Sequence, residues 1–336
     1  MPRLLEPKPG AATSSGDNHR MSIAAYIKEI GRGKEGARSL STEQARDLFD
    51  QVLDGVVTDL EVGAFALAMR IKGETTEELD GFVQSTLQRC MPLPAPHPFG
   101  AGVVVLPSYN GSRKLPNLTA LLAGHLARAG VAVLVHGPLK DPTRVTTADV
   151  WGALGWAKAS TAQGVAQAWQ QRLPAFVDIH TLCPGLARLL DVRWTIGLRN
   201  PGHTVAKLLT PWPAGVPTVR VVNHTHPEYA VSLKGYLAHT QANALLMRGT
   251  EGEPVADARR QPRFDVYLRG LHHPALSLQA QEGVLTELPQ LPQASDAAST
   301  ATYIQAVLRG DQALPTAIGA QAQCLRQALG QTEAHP

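Results

Sequence analysis

Apolar residues between Met21 and Met91 recur at helical spacing, and beyond them the spacing changes. Ile23, Tyr26, Ile27 and Ile30 share one face of a predicted helix, which Gly31 and Gly33 end. Ser41 can cap a second helix, with Gln44 three residues later in capping-box position. That helix carries Ala45, Leu48, Phe49 and Val52 inward and stops at Gly55. A third, from about Asp59 to Ile71, is nearly continuous in apolar residues, which predicts a central place in a bundle. Gly73 closes it. Thr75 or Thr76 starts a fourth helix with Leu79, Phe82, Val83 and Leu87 inward. The proline-rich run 92–98 fits neither helix nor central strand and reads as a linker.

After the linker, short apolar runs alternate with helical patterns. The runs are Val103–Leu106, Val131–Val135, Ala175–Asp178, Val219–Val222 and Ala244–Met247. This alternation predicts βαβ units, hence an α/β domain with a central, mostly parallel sheet. Arg263 to Leu268 is expected to add an edge strand. Two helices rich in Ala and Gln, Ser295 to Leu308 and Pro315 to Leu329, follow. The expected organisation is a small N-terminal helical domain over 21–91, the linker, and a large α/β domain over 99–336. Residues 1–20 are rich in Pro, Gly, Ser and charge, with no apolar stretch, and read as a disordered tail rather than a signal peptide.

The loop after the first predicted strand adds chemistry to this frame. Pro107-Ser-Tyr-Asn-Gly-Ser-Arg-Lys114 lies between a buried strand and a helix N-terminus, where unpaired N–H groups and the helix dipole favour an anion. Arg113 and Lys114 add two cations. The net charge is only +3, but it is segregated. No Asp or Glu occurs between Asp80 and Asp141. From Arg193 to Lys234 five cations face one acid, Glu228. Such segregation attracts anionic partners if folding brings the two stretches together. Three cysteines, Cys90, Cys183 and Cys324, show neither metal spacing nor a disulfide framework, which fits a reducing, cytoplasmic setting. No apolar run is long enough to span a membrane.

Several segments resemble anthranilate phosphoribosyltransferases of glycosyltransferase family 3. Met69-Arg-Ile-Lys-Gly-Glu-Thr-Thr-Glu-Glu-Leu79 resembles the end of their helical domain, which related nucleoside phosphorylases share. Asn117-Leu-Thr119, His136-Gly137, Ala148–Gly155 and the frame of Val192, Arg193, Gly197 and Arg199 match further motifs. The resemblance runs from about Met21 to Leu329. It implies the phosphoribosyltransferase-like fold, with residues 185–212 packing on the helical domain. In the enzymes a Gly-Thr-Gly-Gly-Asp-Gly loop wraps the pyrophosphate of phosphoribosyl pyrophosphate, and an adjacent Asp-Glu pair holds magnesium. Here the loop reads Pro107-Ser-Tyr-Asn-Gly-Ser112, and Gly249-Thr-Glu-Gly-Glu-Pro254 replaces the acidic segment. Glu251 and Glu253 are the weak candidates left for a metal, and Pro254 breaks the pair.

The departures are similar to a divergent TrpD-like branch of the YbiB type. That likeness implies a homodimer that binds DNA or RNA without sequence preference, joined through its helical domains. The alternative it leaves is phosphoribosyl transfer to an unknown acceptor with phosphoribosyl pyrophosphate and magnesium. No cofactor is expected apart from that magnesium. The candidate phosphate contacts begin with the loop: Ser108, Tyr109, Asn110, Gly111, Ser112, Arg113 and Lys114. Tyr109 is the best placed aromatic for stacking on a base. Asn117 and Thr119 are candidates too, with helix capping as the stronger reading. His136, Lys140 and Arg144 follow a strand end, where α/β folds bind ligands. Arg193 stands where the enzymes' substrate carboxylate meets an arginine, and Arg199 and Lys207 extend that surface. Arg199 has an ion pair with Asp191 as its alternative. His224 and His226 alternate like metal ligands, but no third ligand is apparent.

Overall fold

The computed structural model describes residues 22–96, 99, 101–213, 215–284 and 288–333. The tail expected over 1–20 lies outside them. Five helices, Ala24–Ile30, Gly33–Gly36, Thr42–Asp54, Asp59–Lys72 and Thr76–Leu87, form the N-terminal domain. Ser41, Thr58 and Thr75 each begin a helix with a complete capping box, closed by Gln44, Glu61 and Glu78. Phe49 stacks on Phe82 at 4.5 Å between ring centroids, and Phe65 meets both edge-on, at 6.1 and 6.0 Å. These three rings centre the bundle.

The Asp59–Lys72 helix does not sit at the centre of that bundle as its apolar sequence suggested. It buries Phe65, Ala66 and Met69, while Leu60, Leu67 and Ile71 are 83%, 48% and 55% exposed. The helix is apolar on two faces, and among the described residues only one has a partner.

The second domain is built on a seven-stranded sheet: β1 Val103–Pro107, β2 Ala132–Gly137, β3 Ala175–Asp178, β4 Thr218–His224, β5 Ala244–Arg248, β6 Phe264–Leu268 and β7 Leu271–His272. Their order is β3-β2-β1-β4-β5-β6-β7. The first five strands are parallel, and β6 and β7 run antiparallel. The two-residue β7 takes the edge that β6 was expected to hold.

Side chains alternate across β1. Val103 and Val105 join a core shared with the helical domain, while Val104 and Leu106 join a second core with Trp151, Ile304 and Leu325. The Pro184–Ile196 helix packs on the helical domain, where Arg188 Nη2 donates to Leu53 O at 2.7 Å. The Pro227–His239 helix also meets it, through His239 Nε2 and Asp80 at 3.3 Å. Because β1 lies between β2 and β4, chain connections leave it in both directions. A crevice opens beyond the strand ends at such a switch point. No helix among the described residues is long and apolar enough to cross a membrane.

Candidate functional site

The loop after β1 reaches into this crevice, and its anion-binding groups are already engaged. Glu253, wholly buried, accepts the backbone N–H groups of Asn110 and Gly111, each at 2.8 Å. Its other oxygen takes Thr147 Oγ1 at 3.1 Å, Thr119 Oγ1 at 3.3 Å and Asn117 Nδ2 at 3.4 Å, and the Ser108 hydroxyl also donates to it. Two residues earlier, Glu251 accepts the backbone N–H of Arg113 at 2.6 Å and that of Lys114 at 3.2 Å. The nest is real, and the anions in it are the chain's own carboxylates.

The two loops interlock closely. Gly252 has φ +88, and a Cβ there would lie 1.7 Å from Asn110 Nδ2. Gly111 has φ +66, and a Cβ there would meet Arg144 Cβ at 2.9 Å. Glu251 holds φ +51 without being glycine, a conformation that persists where surrounding contacts impose it.

Asn117 and Thr119 therefore serve Glu253. Leu118 occupies the cap position of the Thr119–Arg128 helix, so the expected side-chain cap is not formed, although Asn117 Oδ1 accepts the Thr119 N–H at 3.2 Å. Tyr109 is also placed differently from the expectation. Its ring is buried against His136, and its hydroxyl lies 2.7 Å from His136 Nδ1, so the ring offers no stacking face. Burial pushes the Tyr109 hydroxyl well above the ordinary phenol range. Burial alone pulls His136 down to about 3, so its ring is neutral and enclosed rather than a surface phosphate contact. Ser112 is buried as well, paired through its backbone with Val145.

The cations lie outside the nest. A cleft of about 500 Å³ separates the helical domain from the sheet's strand ends, with Arg70, Arg199, His203, Lys207, Asn223 and His224 on its walls. Burial lowers the Arg199 guanidinium, followed by repulsion from Arg193 and Arg144, with Arg70 adding to it and Asp141 opposing. Arg199 therefore feels the charge of three other arginines. Lys207 donates to Asn223 Oδ1 at 2.9 Å, and desolvation followed by Arg199 pulls its ammonium down to about 8. His203 falls to about 3 through burial and the same cations, and is neutral.

A smaller adjoining cavity of about 280 Å³ shares His203 and is lined by Lys140, Asp141, Arg193 and Trp194. Arg193 Nη2 lies 3.8 Å from Asp141, and its guanidinium covers the Trp194 ring at 4.1 Å. Arg144 donates to Gly111 O at 3.3 Å. Arg113 and Lys114 are exposed, with Arg113 reaching Thr143 Oγ1 at 3.3 Å. Asp191 faces His180 at 3.5 Å rather than Arg199.

The comparisons agree with this architecture. Residues 24–90 match the helical bundle domain of the glycosyl transferase family. Over 317 residues, covering 93% of this chain and 95% of the relative, the sequence is 38% identical to the uncharacterized protein YbiB of Escherichia coli (strain K12). An anthranilate phosphoribosyltransferase of Methylorubrum extorquens (strain PA1) is 32% identical over 201 residues, 59% of this chain and 57% of that one. The chain belongs to the anthranilate phosphoribosyltransferase-like family, glycosyltransferase family 3. The TrpD crystal structure from Thermus thermophilus shares the fold, with a TM-score of 0.69 at 20% identity over 91% of this chain and 89% of that one. The Saccharomyces cerevisiae enzyme, in complex with PRPP and Mg, overlays with a TM-score of 0.58 at 14% identity, covering 93% and 96%.

Within this glycosyltransferase family 3 fold, the residues present do not fit a magnesium ion. Magnesium needs carboxylate oxygens open to it and to substrate phosphates. Glu251 and Glu253 turn theirs to N–H and O–H donors, and the next two residues are Pro254 and Val255. No group of three His, Cys, Asp or Glu among the described residues is arranged to hold a metal. Sequence reasoning passed over Arg70, although it lies in the segment that carries the family resemblance. It also passed over Thr147 and Asn223, which carry no signal of their own in the sequence.

Proposed function

We propose that this chain binds nucleic acid through the sugar-phosphate backbone, without sequence preference, and does not transfer phosphoribose. The observation that carries the proposal is the division of charge around the crevice. The nest that would hold a compact diphosphate is filled by Glu253, while Arg70, Arg199 and Lys207 line the cleft outside it and Arg193 lines the adjoining cavity. An extended polyanion can follow such a wall, and each phosphate it places there releases counterions. Arg113, Lys114 and Lys140 lie exposed and can lengthen the track.

The assembly we propose is a homodimer joined through the helical domain. Leu60, Leu67 and Ile71 form an apolar row along one side of the Asp59–Lys72 helix, and a second copy would cover it. A fluorescence-anisotropy titration with labelled DNA and RNA over a range of salt tests the reading. We expect binding to every sequence, with log K falling linearly against log salt at about −0.9 per duplex phosphate contact, or about −0.7 on single strands. No binding at low salt would overturn it.

A second reading, phosphoribosyl transfer, is favoured by the family and by the retained backbone nest. It requires Glu253 to leave the nest. Calorimetry with phosphoribosyl pyrophosphate and magnesium separates the two: heat of binding supports transfer, and its absence supports the first reading.

A further inference from the structure

Cys90 and Cys183 come from different domains and meet at the boundary. Cys90 follows the last helix of the helical domain, Thr76–Leu87. Cys183 stands immediately before the Pro184–Ile196 helix, at its cap position. The backbone joins the two segments beside them, where Met91 N–H donates to Leu182 O at 2.7 Å. Both sulfurs turn to one acceptor, the carbonyl oxygen of Thr86, at 3.4 Å for Cys90 and 3.9 Å for Cys183. Cys90 is partly open to solvent and Cys183 is buried.

We propose that Cys90 and Cys183 are an oxidation site, at which a hydroperoxide converts the two thiols into a disulfide linking the helical domain to the α/β domain. The pair is suited to this chemistry. Cys90 beside it holds the Cys183 thiol below the usual range, with Arg89 and Arg188 contributing. Cys90 is pushed up by the neighbouring Cys183 and by burial. Cys183 is therefore the sulfur that ionises first.

In the first step the Cys183 thiolate takes the Cys90 proton as the solvent-facing Cys90 sulfur attacks one peroxide oxygen, and passes that proton to the departing hydroxide. The O–O bond breaks, Cys90 becomes a sulfenic acid, and water leaves. In the second, the Cys183 thiolate attacks the Cys90 sulfur. The S–S bond forms, the S–O bond breaks, and the departing hydroxide takes up a proton as a second water. Two thiols and one hydrogen peroxide give one disulfide and two waters. Because Cys183 begins the helix that leads towards Arg193 and Arg199, the bond fixes the cationic wall of the cleft relative to Arg70 on the opposite side.

The full-length protein, treated with hydrogen peroxide and digested without reduction, tests the site by mass spectrometry. The expected result is a Cys90–Cys183 cross-linked peptide, with Cys324 still alkylatable. Intact mass should fall by that of two hydrogens, and the thermal midpoint should rise by roughly 5 °C, because the bond closes a long loop in the unfolded chain. Cys90→Ser and Cys183→Ser should each abolish the cross-link and the shift, and Cys324→Ser should keep both. If Cys183→Ser fails to fold, the wild-type peptide map and Cys90→Ser still decide. The proposal is overturned if both thiols remain alkylatable after excess peroxide. It is also overturned if Cys90 proceeds to sulfinic acid alone, or if the bond forms only between separate molecules.

Discussion

Glu253 accepts the backbone N–H of Gly111 at 2.8 Å across a separation of 142 residues. The contact joins the loop after β5 to the loop after β1, and five further donors converge on the same carboxylate. Truncating it would leave buried donors without a partner. Glu253→Ala is expected to lose about 2–4 kcal/mol in denaturant unfolding. It should also vacate the nest. Inorganic pyrophosphate at millimolar concentration should then raise the unfolding midpoint of the variant and leave that of the wild type unchanged. A variant that pyrophosphate does not stabilise would show that the nest is not an anion site.

Arg113 and Lys114 meet Glu251 through their backbones while their side chains face solvent. Replacing both with Ala should weaken nucleic-acid binding on all sequences alike and reduce the salt slope by about two contacts, with stability changed by less than about 0.5 kcal/mol. Unchanged affinity would remove the loop from the contact surface.

Lys207 supplies a dependence on pH. Its ammonium is held at about 8, below the ordinary 10.5, by desolvation and Arg199. Between those values the folded protein has shed a proton that the unfolded chain keeps, so stability rises as pH climbs through that window. Affinity runs the other way, because the charge that attracts phosphate is present below about pH 8. Nucleic-acid binding should weaken by about threefold between pH 7 and pH 9, the worth of one partly screened ion pair. Anisotropy titrations at the two values, repeated on Lys207→Met, check this. The variant should bind equally at both.

Leu67 is half-exposed at the middle of the uncovered row on the Asp59–Lys72 helix. Leu67→Glu should weaken self-association about a hundredfold, as measured by sedimentation, while leaving the thermal unfolding of the separated chain nearly as before. If the wild type sediments as a monomer, the dimer is excluded.

Much of the fold was legible because its signals are local. The capping box at Ser41, the helix start at Thr75, the glycine stops at Gly55 and Gly73, and the valine runs of β1 and β4 each depend on residues a few positions apart. The loop after β1 was legible as an anion nest for the same reason. Its occupant was not, because Glu253 reaches Asn110 and Gly111 only after β4 and β5 have joined the sheet beside β1. Tyr109 looked like a surface ring because its loop is polar, yet a buried partner, His136, claims its hydroxyl. The Asp59–Lys72 helix misled for a different reason. Apolar sequence reports that a face avoids water, without saying whether the neighbour belongs to the same chain.

The position of Glu253 has a consequence for competition. A carboxylate tethered within the same chain meets the nest at an effective concentration that does not fall on dilution. A small phosphate must displace it, and the phosphate's apparent affinity is divided by the small fraction of time the nest stands open. A long polyanion lying along Arg70, Arg199 and Lys207 does not need the nest and gains from every further contact. One internal side chain can therefore turn a site selective for a compact diphosphate into a surface that selects for length.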